Sequence, residues 1–122
     1  MSVIRTFTVT VSNPGSGNRY YIDSVLQETV NLAEQFTYKF DQSDSSNSGH
    51  PLKFSTTSNG THGGGSEYTT GVTYNGTPGN AGAYTQITVA NSAPQLYYYC
   101  QYHSGMGGQA NTVDSNSWSL LT

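Results

Sequence analysis

The sequence predicts an all-β protein, a Greek-key β-sandwich of about seven or eight short strands. Composition is the first reason: the chain carries 14 glycines and 10 tyrosines with many Ser, Thr and Asn, while Lys and Arg together number only 4. That palette disfavours helices and suits strands and turns. The second reason is alternation of apolar and polar residues in short runs, the period of a half-buried strand. The third is the regular punctuation of those runs by Gly, Pro, Asn and Ser clusters. At 122 residues the chain fits a single domain, 1–122, able to bury a core without disulfide staples.

In chain order, Val3, Arg5, Phe7, Val9 and Val11 alternate with Ile4, Thr6, Thr8 and Thr10, which predicts the first strand. Asn13 to Asn18 ends it as a turn, and Arg19 to Asp23 follows as a second short strand. Val25 to Leu32 reads as a third strand. The near-helical spacing of Leu26, Val30 and Ala33 offers a short helix over Val25 to Gln35 as the alternative, which Thr29-Val30 disfavours. Phe36, Tyr38 and Phe40 form the inward face of the next strand, and Asp41 to Gly49 is a polar loop closed by Asx and Ser turns.

Leu52 to Ser55 is again a strand. Thr57 to Ser66 is a long loop whose triple glycine reads as flexible backbone, leaving His62 exposed rather than ligating. Tyr68 to Tyr74 and Ala83 to Ala90 complete the middle of the chain, separated by the turn at Asn75 to Asn80. The two ends, 1–18 and 109–122, are either strands closing the core or arms that contact other subunits; Trp118-Ser119-Leu120-Leu121 is the apolar part of the second.

The stretch Leu96 to Gly108 concentrates the chemistry. Leu96, Tyr98 and Cys100 fall on one face of a strand, and a Gly-rich loop follows with His103 and Met106. A thiolate, an imidazole two residues beyond it and a thioether three residues further on can wrap one metal ion. Two histidines, one cysteine and a weak axial methionine form the electron-transfer arrangement of copper. The second imidazole must come from elsewhere, and His50 is the better placed of His50 and His62. It stands at the mouth of Pro51 to Phe54, a segment able to lie beside the Cys100 strand.

On the pattern His50…Cys100-x-x-His103-x-x-Met106 the chain resembles the cupredoxins, the blue copper family, over roughly residues 36 to 108. The resemblance implies copper held by His50, Cys100, His103 and Met106 in a cupredoxin-like sandwich. Pro51 stands where that family often carries an asparagine supporting the copper-binding sulfur. A second resemblance runs over the same region. Gly49 to Ser55, Thr61 to Tyr68 and Tyr99 to Gly108 are similar to modules in structural proteins of marine bacteriophages, especially those of cyanobacteria. It implies a virion role.

Charged residues are only 9% against a typical quarter and net charge is -3, so no basic surface for nucleic acid is expected. No run approaches the ~18 apolar residues of a membrane span. No Ser-His-Asp, paired-carboxylate or zinc-protease constellation is visible, and the chain is expected not to be an enzyme. Met1 to Thr6 lacks the blocks of a secretory signal, so a product left in the cytosol of its producer is expected. The sequence favours a bacteriophage virion protein, capsid-decorating or tail-associated, assembled in the host cytoplasm and contacting capsid or tail subunits and copies of itself. The alternative is a small soluble blue copper electron carrier.

Overall fold

The computed structural model describes residues 2–114. Eleven strands lie among them: β1 (Val3–Ser12), β2 (Arg19–Ile22), β3 (Val25–Leu26), β4 (Val30–Ala33), β5 (Thr37–Asp41), β6 (Leu52–Ser55), β7 (Glu67–Tyr68), β8 (Val72–Asn75), β9 (Tyr84–Thr88), β10 (Leu96–Cys100) and β11 (Gly108–Val113). They form two sheets, ordered β3-β2-β1-β5-β9-β8 and β4-β11-β10-β6-β7. Both sheets are mixed, because β1 runs parallel to β5 and β11 parallel to β4. The sandwich is the fold class that the alternation predicts.

The strand count exceeds the expected seven or eight because two runs split where the chain crosses between sheets and because the C-terminal segment adds β11. Val25 to Leu32 divides into β3 in the first sheet and β4 in the second, with Gln27 between them in the left-handed region at φ 46°. No helix forms there: Val30 and Leu32 turn inward at strand period, and Leu26 is exposed. Tyr68 to Tyr74 divides into β7 and β8 at Gly71, whose φ of 71° and close approach to the Thr88 carbonyl leave no room for a side chain.

The N-terminal run is a strand, paired with β2 on one side and β5 on the other. From the C-terminal segment, β11 pairs with β10 and β4. Trp118 to Leu121 lies outside the described residues.

The core fills the space between the sheets. Phe7 stacks on Phe40 at 4.9 Å, and Phe40 meets Phe54 of the opposite sheet edge-on at 5.3 Å. Phe40 is fully buried and touches rings from both layers, so truncating it opens a cavity that neither sheet can close alone. Phe40→Ala is expected to cost about 3–5 kcal/mol, read as a lowered urea midpoint at unchanged m-value.

Candidate metal centre

Strand register delivers the ligands. In the antiparallel β6–β10 pair, Leu52 lies opposite Cys100, and the ladder continues through Gln101 N–H donating to the Pro51 carbonyl at 3.0 Å. The residues just before β6 and just after β10 therefore meet at one end of the sandwich. His50, Cys100 and His103 gather there with all ligand atoms within 4.8 Å of one another. Cys100 Sγ stands 3.7 Å from His50 Nδ1 and 3.4 Å from His103 Nδ1.

These spacings fit one ion. A metal with ~2.3 Å bonds to sulfur, ~2.05 Å bonds to nitrogen and angles of about 110–120° spans sulfur–nitrogen edges of about 3.5–3.8 Å. The donor set of one thiol and two imidazoles suits copper or zinc rather than a hard oxygen-seeking cation. Cys100 is fully buried and His50 is 8% exposed, whereas His103 is exposed. Burial, and secondarily the neighbouring His103, hold the His50 imidazole below its ordinary pKa. It is therefore neutral near pH 7, the form that ligates. Met106, the fourth expected ligand, is 1% exposed and lies in the same core cluster as Cys100, its carbonyl accepting from Tyr20 N–H at 2.9 Å.

Beneath His50 lies a polar support absent from the sequence expectations. The His50 carbonyl accepts from the Tyr20 hydroxyl at 2.6 Å and from Gln42 Nε2 at 2.7 Å. Gln42 also donates to Asn47 Oδ1 and accepts from Leu52 N–H, while Asn47 Nδ2 reaches the Val9 carbonyl. His50 N–H donates to the Asn47 carbonyl at 2.8 Å. Burial, and then the nearby Cys100, raise the Tyr20 phenol well above its ordinary pKa, so it remains a donor. Gln42 was legible in principle, since it continues the inward parity of Tyr38 and Phe40.

The segment expected to be flexible is close-packed. Gly60–Gly63 is a 3-10 turn lying over the outer face of β10. A Cβ on Gly60 would sit 2.4 Å from the Tyr99 ring, so only glycine lets the backbone cover that ring. His62 is exposed and outside the ligand group, as expected, yet its Nε2 lies 2.8 Å from the Cys100 carbonyl. It braces the backbone of the central thiol residue.

No family model matches the chain, and no curated protein matches it. Solved structures do. Reduced rusticyanin matches with a TM-score of 0.52 at 14% identity, covering 93% of this chain and 82% of that one. Rusticyanin from Thiobacillus ferrooxidans gives 0.52 and 14%, over 92% and 79%. A further structure, described as the copper protein rusticyanin, gives 0.52 and 13%, over 92% and 80%. At such identities the likeness establishes the fold, and this chain has the cupredoxin-type β-sandwich.

Proposed function

We propose that this protein binds copper at His50, Cys100 and His103, with Met106 as a further donor, and carries single electrons without catalysing a chemical reaction. The observation that supports it most is the convergence of one buried thiol and two imidazoles at the end of a cupredoxin sandwich. Copper bound there would supply a one-electron couple. The chain's own residues do the rest: the Cys100 sulfur and the His50 and His103 imidazoles would hold the ion, and the hydrogen-bonded backbone beneath His50 resists that residue's rearrangement. Water is kept from the sulfur by burial. His103 and Tyr102, which is 64% exposed, form the side from which a partner can approach.

The virion role favoured by the sequence modules is the weaker reading. The three segments that carry that resemblance supply His50, His62, Cys100 and His103, so a metal-site scaffold accounts for what they share.

Adding Cu(II) to the metal-free protein is expected to load one ion per chain, with intense visible absorption. Copper at a hundredfold its Kd should add ~2.7 kcal/mol, roughly 10 °C in Tm for a domain of this size. Cys100→Ser is expected to abolish the absorption and keep the fold. Unchanged absorption in that variant removes Cys100 from the site. A wild-type protein that travels with large particles and binds no copper returns the virion reading.

A further inference from the structure

We propose that Gln27 and Asn59 form a two-sided clamp that fixes the Gly105 turn and so sets the geometry of the loop carrying His103 and Met106. The clamp's bearing on copper rests on the function proposed above. Gly105 N–H donates to Asn59 Oδ1 at 2.8 Å, and the Gly105 carbonyl accepts from Gln27 Nε2 at 3.0 Å. Gln27 Nε2 also reaches the Gly107 carbonyl at 2.7 Å, and Asn59 Nδ2 donates to Ser104 Oγ at 2.8 Å. Ser104 follows His103, and Gly105 and Gly107 flank Met106, so the clamp grips the backbone on either side of Met106 and the side chain next to His103.

Three further observations support this role. Gln27 and Asn59 both occupy the left-handed region, at φ 46° and 65°, a conformation costly for a residue with a Cβ and kept where surrounding contacts demand it. A cavity of about 270 Å³ lies beside the turn, lined by Gln27, Ser58, Asn59, Gly105, Gly107 and Gly108. At the turn itself hydrogen bonds hold the backbone, while Met106 packs into the core. Finally, Pro51 has no N–H, so the residue following His50 offers no backbone donor to brace the site. For the loop carrying His103 and Met106 the bracing comes from residues 46 and 78 positions before Gly105.

The test uses the full chain with Asn59→Gly, Asn59→Asp and Gln27→Gly. Glycine is unstrained at both positions, and aspartate keeps the oxygen that accepts from Gly105. Urea midpoints confirm that each variant folds. In the metal-free protein, NMR hydrogen exchange at Gly105 is expected to quicken at least about fivefold in Asn59→Gly and to return toward wild type in Asn59→Asp. With Cu(II) as probe, Asn59→Gly and Gln27→Gly are expected to lose about tenfold or more in affinity and to change the copper EPR hyperfine splitting. Equal Gly105 exchange in Asn59→Gly and wild type overturns the clamp. Faster exchange with unaltered affinity and EPR overturns its control of the metal site. A wild-type protein that takes up no copper overturns the copper reading and not the clamp, which the exchange of the metal-free protein decides by itself.

Discussion

Gln42→Leu is expected to cost about 3 kcal/mol of stability and to weaken copper binding about ten- to a hundredfold. The side chain is 1% exposed and makes three hydrogen bonds at once: to the His50 carbonyl, to Asn47 Oδ1 and from Leu52 N–H. Leucine is of similar size, so no large cavity opens and the loss is polar. Leu52 N–H and Asn47 Oδ1 are left buried without those partners, and each such orphan costs about 1–3 kcal/mol. The His50 carbonyl keeps the Tyr20 hydroxyl and is therefore half-supported.

The effect on copper follows from position rather than charge. His50 is held through its backbone at both ends, N–H to Asn47 and carbonyl to Tyr20 and Gln42, so its ring has only its own side-chain torsions to relax. Loosening the carbonyl lets the ring leave the 3.7 Å spacing to Cys100 Sγ. Urea unfolding of the metal-free protein measures the first effect, and a competitive copper titration measures the second. A stability loss below about 1 kcal/mol, or an affinity equal to wild type, would show that the network is not what holds His50. Tyr20→Phe shares the same acceptor, so the double variant is expected to depart from additivity.

The sequence made the strands and the ligands legible for the same reason: both leave a periodic or fixed-spacing mark. Leu96, Tyr98 and Cys100 alternate into the core, and the step from Cys100 to His103 crosses the strand end, so the pair had to meet wherever β10 stopped. His50 could be chosen over His62 because Pro51 to Phe54 looked like a neighbouring strand, and the β6–β10 register bears that out. What was not legible leaves no period. Gln27, Asn59 and His62 each act through one or two hydrogen bonds to backbone 38 to 80 residues away. An Asn-Gly pair such as Asn59-Gly60 is turn chemistry, but nothing local says which loop that turn grips. The order of the two sheets was hidden likewise, since the runs at Val25 and Tyr68 change sheets at Gln27 and Gly71, where left-handed backbone rather than hydropathy breaks the strand.

Gly107→Ala is expected to be among the most damaging single-methyl additions, costing about 3 kcal/mol or more. A Cβ there would lie 1.8 Å from the Tyr98 carbonyl oxygen and 2.8 Å from Tyr99 Cα, distances that backbone atoms cannot relieve without moving β10 or β11. The next residue, Gly108, pairs with Tyr98 in that ladder. A Cβ on Gly108 would stand 2.7 Å from the Tyr98 hydroxyl and 2.8 Å from the Gln27 carbonyl. The two glycines thus let the chain turn tightly from β10 into β11 beside it while the Gln27 backbone approaches closely. Gly82→Ala separates this clash from backbone strain, because Gly82 has φ 83° and nothing within 4 Å of its missing Cβ. That variant is expected to lose only about 1 kcal/mol. Urea midpoints with and without copper test both. Since Met106 immediately precedes Gly107, the stabilisation that copper adds is expected to shrink in Gly107→Ala and to survive in Gly82→Ala. Equal costs for the two variants would mean that the chain relaxes around position 107, and the close approach of Gly107 to the β10 backbone would then not be what positions the ligand loop.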